Sequence, residues 1–269
     1  MRRALSIVIL FMLATITACG VPPGVDDRLP LDGNQAFEID RGNDKGILLI
    51  HGMTATPWEV RPLGEFIASR NITVVAPLIA GHGTSAAELN KVSWEDWYAS
   101  ANDSLAYLKS RVHRVYVAGV STGSDLAVLL AKDNDLDGLI LIAPPIELQD
   151  SSAKFARVAY PFLPYVASPS VGAEKGHYYE YKSVHAVAEL NTLIGKVKTA
   201  LPKVTEPTLI LQSVNDKTVK PSSATFVFDH IGSKQKELRL YGNATHVLVA
   251  EQDAPDVIFR YVGEFLAEN

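Results

Sequence analysis

The 269-residue chain carries 25 Lys and Arg against 30 Asp and Glu, a formal net charge of -5, and it has no long basic run outside its first residues. That balance excludes the dense positive surface nucleic-acid binding needs, so no nucleic-acid partner is expected. With 47% hydrophobic residues and one cysteine, Cys19, the fold must rest on apolar burial and not on disulfides.

The chain opens on a leader-like segment. Arg2 and Arg3 precede an apolar stretch from Ala4 to Ile16, shorter than the roughly twenty residues of a membrane span. Ile16-Thr17-Ala18-Cys19 resembles a bacterial lipobox, where a signal peptidase cuts before the cysteine and a lipid is joined to its thiol. Residues 1–18 are therefore expected to be a lipoprotein signal peptide and Cys19 the lipid attachment. The alternative is an ordinary secretory signal with a chance cysteine. Lipidation makes a membrane surface the expected partner, through an N-terminal anchor instead of a span. Gly20 after the cysteine, where Asp is absent, favours the outer membrane of a Gram-negative envelope. Residues 19–34, rich in Pro, Gly and Asp, read as an extended tether, and the folded domain is expected over 35–269.

Within that domain, Gln35 to Asp40 and Gly46 to Ile50 read as two strands joined by the Gly42-Asn43-Asp44 turn. Further apolar runs at Ile72–Ala76, Val115–Val120, Leu139–Ala143, Thr208–Gln212 and Glu237–Tyr241 predict more strands. Amphipathic segments at Trp58–Ser69, Trp94–Ser110, Leu126–Lys132, Ser222–Ile231 and Ala254–Ala267 predict helices between them. Strands alternating with helices imply an α/β domain, a mostly parallel sheet with helices on both faces. From about 146 to 204 the alternation stops. No sheet strand is read there, while Phe155, Tyr160, Phe162, Tyr165, Tyr178, Tyr179 and Tyr181 crowd a helical or irregular stretch. This interval reads as an inserted helical cap whose aromatics pack it onto the sheet and together imply an apolar cavity beneath.

Gly119-Val120-Ser121-Thr122-Gly123 stands between an apolar run and a helical stretch, the context in which G-x-S-x-G forms a nucleophile elbow. A serine hydroxyl is a weak nucleophile at neutral pH, so it needs a histidine base and a carboxylate that orients it. Asp216, four residues past the Thr208–Gln212 strand, and His246, in the loop after Glu237–Tyr241, follow Ser121 in the order Ser, Asp, His. His51, His82, His113, His177, His185 and His230 are rival bases, but His246 alone follows the last strand. Acyl transfer also requires backbone N–H groups aimed at the developing oxyanion. The Thr122 N–H, directly after the nucleophile, and the Met53 N–H, in the His51-Gly52-Met53-Thr54 turn, are assigned that role. Gly81-His82-Gly83 reads as a second glycine-flanked turn that shapes a pocket rim or is a plain loop.

Taken together, His51-Gly52-Met53-Thr54, Gly81-His82-Gly83, the helix bearing Trp94 and Trp97, the elbow, Asn215-Asp216 and the His246 loop resemble the capped α/β-hydrolases. That group includes bacterial carboxylesterases and monoacylglycerol lipases and is related to the serine aminopeptidases. The resemblance covers roughly Gln35 to Asn269. It implies an α/β-hydrolase fold, hydrolysis of a carboxylic ester through an acyl-enzyme on Ser121, and no metal or organic cofactor. Thr122 and Ser124 depart from the Met or Gln and the Gly that relatives often carry there. Two other readings stay open: an aminopeptidase or amidase using the same three residues, with Glu147, Asp150, Glu174, Glu180 or Glu189 as acids for a free amine, or a non-catalytic envelope lipoprotein that binds lipid. Acyl length, the alcohol part of the substrate and the oligomeric state are left open.

Overall fold

The computed structural model describes residues 33–168, 177–242, 245, 246, 249 and 255–269. The expected leader, Cys19 and the tether up to residue 32 lie outside the described residues, as does Glu174. Asn34, placed in the tether by the sequence, is buried, and its side-chain oxygen accepts the Thr56 hydroxyl at 2.8 Å.

Nine strands occur among the described residues: β1 (Phe37–Ile39), β2 (Lys45–Ile50), β3 (Thr73–Ala76), β4 (Arg114–Val120), β5 (Gly138–Ile142), β6 (Tyr165–Ala167), β7 (Tyr181–Ser183), β8 (Thr208–Ser213) and β9 (Lys236–Tyr241). Seven form one sheet in the order β1-β3-β2-β4-β5-β8-β9, antiparallel at β1 and parallel elsewhere. The helices are α1 (Arg61–Ala68), α2 (Ala86–Leu89), α3 (Trp94–Lys109), α4 (Thr122–Asp133), α5 (Ala156–Ala159), α6 (Val184–Ala200), α7 (Ser222–His230) and α8 (Pro255–Glu268).

The continuous apolar runs of β2, β4, β5 and β8 follow from burial on both faces. Successive side chains alternate across the sheet. Leu48, Ile50, Val117, Leu141 and Ile210 meet α3, α4, α6 and α7 on one side. Ile47, Leu49, Ala118, Ile140 and Leu211 meet α1 and α8 on the other, where Leu63, Ile67, Ile258 and Val262 are buried. The sheet is thus the middle layer of a three-layer α/β fold.

Two sequence expectations need correction. β1 and β2 are joined by the expected turn but do not pair, because β3 lies between them. The physical reason is burial: β2 is buried from Gly46 to Ile50 and takes two parallel neighbours, whereas partly exposed β1 suits an edge. Between β5 and β8, the region read as strandless holds β6 and β7, which pair antiparallel with each other and add nothing to the main sheet. Its aromatics also divide. Tyr179 is buried, but Phe155 and Phe162 are 60% and 64% exposed and cannot be packing the insert onto the sheet. The long helix α6 does that instead, with Leu190, Leu193 and Val197 in the core.

Candidate active site

β4 ends at Val120 and α4 starts at Thr122, so a single residue turns the chain. That residue, Ser121, has φ 52° and ψ -122°, a conformation that a side chain makes costly. It is held there by the Ser121 N–H donating to the Ile142 carbonyl at 2.8 Å and the Ser124 N–H donating to the Ser121 carbonyl at 2.7 Å. Ser124, noted above as a departure, has a structural use. Its hydroxyl lies 2.7 Å from the Gly119 carbonyl it donates to and 3.1 Å from the Ile142 N–H it accepts, pinning α4 to the ends of β4 and β5.

The three residues expected from chain order meet at the carboxyl edge of the sheet. His246 Nε2 lies 3.0 Å from Ser121 Oγ, and His246 Nδ1 lies 2.7 Å from Asp216 Oδ2. With the Nδ1–H donating to the Asp216 carboxylate, Nε2 is left as the acceptor for the serine hydroxyl. Asp216 is fully satisfied: Oδ1 accepts the N–H groups of Thr218 and Val219, each at 2.8 Å, and Oδ2 also accepts Gln212 Nε2 at 2.9 Å. Burial works to raise the Asp216 pKa, but the hydrogen bond and charge of His246 and the two amides outweigh it, so the carboxyl sits below its usual range. Gln212, buried on β8, belongs to no motif and escaped sequence reading; its only signal is a polar residue ending an apolar strand.

The turn after β2 abuts this group. A Cβ on Gly52 would fall 3.3 Å from Ser121 Cβ, and Met53 and Thr122 both line one narrow space next to it, with His51, His82 and Trp97. The remaining histidines are engaged elsewhere. His51 donates Nδ1–H to the Gly52 carbonyl at 2.9 Å and accepts the Ile79 N–H on Nε2 at 3.2 Å. Burial, then the neighbouring His82, brings its pKa down to about 3, and burial brings that of His82 down to about 4. His113 pairs with Asp44, His177 stacks on Trp58, His185 faces Glu189, and His230 stacks on Phe226. The Gly81-His82-Gly83 turn has positive φ at both glycines, and its Gly81 carbonyl accepts the Tyr179 hydroxyl at 2.9 Å.

One buried acid stands apart from this network. Asp125, in the first turns of α4, is fully buried, and among the described residues neither of its carboxyl oxygens has a hydrogen-bond partner. Burial pushes its pKa well above the usual carboxylate value, only partly opposed by the charge of Lys198. The folded state therefore favours the protonated form more than the unfolded chain does. Its contribution to stability is fully present below the unfolded carboxylate pKa and is lost as pH rises through the folded one. Asp125→Asn is expected to remove that loss, so that the variant gains over the parent as pH increases. Urea midpoints compared between about pH 5 and pH 9 check it; a constant gap contradicts it.

An arrangement of serine, imidazole and carboxylate beside a space lined by Met53 and Thr122 can pass a proton from the hydroxyl to the imidazole while a carbonyl carbon is attacked. The family model for serine aminopeptidase, S33, matches residues 42–253, most of the chain. The chain belongs to this family. It is 31% identical to a thermostable monoacylglycerol lipase of Bacillus sp. (strain H-257), over 89% of this chain and 96% of that protein. It is 27% identical to a carboxylesterase of Bacillus subtilis (strain 168), over 84% of this chain and 94% of that one. Among solved structures, one of the metagenome-derived lipolytic enzymes LipS and LipT superposes with a TM-score of 0.83 at 26% identity, covering 90% of this chain and all of its own. The S33 chain therefore has the α/β-hydrolase fold of lipases and esterases.

Proposed function

We propose that the protein is a carboxylic ester hydrolase, a carboxylesterase or monoacylglycerol-type lipase, acting through an acyl-enzyme on Ser121. The observation that carries this is the unbroken hydrogen-bonded line from Ser121 through His246 to Asp216, at 3.0 and 2.7 Å, next to the Gly52–Met53 turn. Ser121 Oγ attacks the ester carbonyl as its proton moves to His246 Nε2, and the Met53 and Thr122 N–H groups receive the charge that forms on the carbonyl oxygen. His246 then gives the proton to the leaving alcohol, and water, activated by the same imidazole, releases the acid.

Ester is favoured over peptide by where the candidate acids point. Glu147 pairs with Lys220, Asp150 bonds Ser152, and Glu189 bonds Arg157 and the Trp94 N–H. Each of these three serves the local structure, and among the described residues none of them is bonded to Ser121. The relatives' names, a monoacylglycerol lipase and a carboxylesterase, support the same choice. Parallel assays on p-nitrophenyl esters of increasing acyl length and on aminoacyl anilides test it: ester turnover is expected, and anilide turnover without it contradicts the reading. We further propose that Cys19 is lipidated and tethers the enzyme to a membrane of the cell envelope, on the strength of Arg2-Arg3, the apolar run and the Ile16–Cys19 motif. A mature N-terminus beginning at any residue other than an acylated Cys19, by mass spectrometry, overturns that anchor.

Two substitutions separate side-chain from backbone roles. Asp216→Asn keeps the size but offers an amide where His246 needs an acceptor, and kcat is expected to fall by about 10³- to 10⁴-fold with KM little changed. Thr122→Val keeps the N–H assigned to the oxyanion and deletes a buried hydroxyl that has no hydrogen-bond partner among the described residues. Steady-state kinetics are expected to stay within about threefold of the parent, with stability unchanged or higher by urea unfolding, since an unmatched buried hydroxyl contributes nothing.

A further inference from the structure

The Met53 N–H can serve an oxyanion only if the peptide that carries it is held still, and it follows a glycine, the residue least able to hold its own conformation. Three contacts supply the restraint. The Gly52–Met53 peptide is held by its carbonyl, which accepts His51 Nδ1–H at 2.9 Å and lies 3.3 Å from the Ala55 N–H. The preceding peptide is held by its N–H, which donates to Glu59 Oε2 at 2.7 Å. Glu59 is only 3% exposed and stands on a short 3-10 turn, Pro57–Val60, which buries Pro57 and Val60 and brings this carboxylate back under the glycine. A Cβ built on Gly52 would be equidistant, at 3.3 Å, from Glu59 Oε2 and Ser121 Cβ, so the acid lies across a single residue from the nucleophile.

A buried carboxylate is costly to desolvate and is kept where its strong hydrogen bonds fix a geometry. The other oxygen of Glu59 reaches out of the turn. Oε1 accepts the Tyr178 hydroxyl at 3.1 Å, and Tyr178 belongs to the segment inserted between β5 and β8. The neighbours of Tyr178 dock on the same loop: His177 stacks on Trp58 with ring centroids 4.1 Å apart, and the Tyr179 N–H donates to the Thr54 carbonyl at 3.2 Å. The inserted segment thus reaches the oxyanion turn at two points, the Glu59 carboxylate and the Thr54 carbonyl, and the first of these leads to the Gly52 N–H.

We propose that Glu59 is a positioning residue for acyl transfer, fixing the Gly52–Met53 turn through the Gly52 N–H, and that Tyr178 couples this turn to the inserted segment. The proposal rests on the ester hydrolase reading for its kinetic readout but not for its labelling readout. The variants are Glu59→Ala, Glu59→Gln and Tyr178→Phe in the full chain, assayed with p-nitrophenyl butyrate and with a fluorophosphonate probe, whose phosphoryl oxygen uses the same amides. Glu59→Ala is expected to lower kcat and the labelling rate by about 10- to 100-fold, with KM within about twofold, less than the loss of a whole oxyanion donor. Glu59→Gln retains a carbonyl for the Gly52 N–H and is expected to recover most of the loss, while Tyr178→Phe shows a smaller fall of the same kind.

A Glu59→Ala protein with kcat and labelling within twofold of the parent overturns the proposal. So does a rise in KM at constant kcat, or a Gln variant as impaired as Ala at equal melting temperature. Should Glu59→Ala fail to fold by circular dichroism, Tyr178→Phe decides: slowed labelling at an unchanged melting temperature supports the proposal, and unchanged labelling overturns it. If the parent turns over no ester, the ester reading fails, and the labelling rates alone still judge Glu59.

Discussion

Ser121→Ala is expected to lower ester hydrolysis by about 10⁴- to 10⁶-fold while the protein stays folded, because it deletes the one atom that forms the acyl bond. Among the described residues the hydroxyl's hydrogen bond is to His246, whereas the backbone of the elbow is held independently by the Ile142 carbonyl and the Ser124 N–H. The strained φ of 52° persists with an alanine there, so no large gain or loss of stability should accompany the loss of activity. Any residual rate would come from the amides and binding alone. Hydrolysis of p-nitrophenyl butyrate and a thermal melt, run on the same preparation, check both halves. A variant that unfolds would put the hydroxyl in a structural role that the geometry does not give it.

The second large effect is on stability. Gly123→Ala would place a Cβ 2.2 Å from the Ile50 carbonyl oxygen and 2.7 Å from that of His51, both backbone atoms at the end of β2. Neither can move without separating α4 from the sheet, so a destabilisation of more than about 4 kcal/mol is expected, enough to leave the chain insoluble or unfolded. Gly119→Ala should behave alike, its Cβ falling 2.1 Å from the Gly123 carbonyl oxygen. The control is Gly195→Ala in α6, where nothing lies within 4 Å of the added carbon and helix propensity alone should add up to about 1 kcal/mol. Soluble yield and urea unfolding of the three variants test the contrast. The two elbow glycines are thus required by close backbone approach, the same approach that brings Thr122 to the space it lines with His51, Gly52 and Met53.

What the sequence made legible was whatever carries a local pattern. β2, β4, β5 and β8 announced themselves as apolar runs, because strands buried on both faces have no polar side. Ser121 was legible from its elbow, and Asp216 and His246 from their places after successive strands. Non-local pairing was not. Nothing within Gln35 to Ile50 says that β3 will insert between two strands joined by a short turn, since that choice depends on residues further along the chain. The insert was misread in its details for a related reason. β6 and β7 are three residues each and pair only with one another, too short for a periodicity to register.

Side chains that act on the site through another group were the hardest to see. Gln212 and Glu59 belong to no motif, and a polar residue in an apolar context is ambiguous until its partner is known. For Gln212 the partner is Asp216, four residues away, and for Glu59 it is the Gly52 N–H, seven residues back. Ser124 was noticed only as an oddity. Its hydroxyl turned out to tie α4 to β4 and β5, a use that requires knowing the Ile142 backbone lies across from it.

The central claim, that Ser121 is the nucleophile of an acyl-transfer site assembled from His246 and Asp216, is tested most directly by covalent labelling. The folded protein is treated with diisopropyl fluorophosphate, digested, and the modified residue is located by tandem mass spectrometry. The expected result is stoichiometric modification of Ser121 alone, lost in His246→Ala and accompanied by complete loss of ester hydrolysis. An enzyme that hydrolyses esters yet is modified at another residue, or that keeps its full activity once Ser121 is modified, would contradict the account.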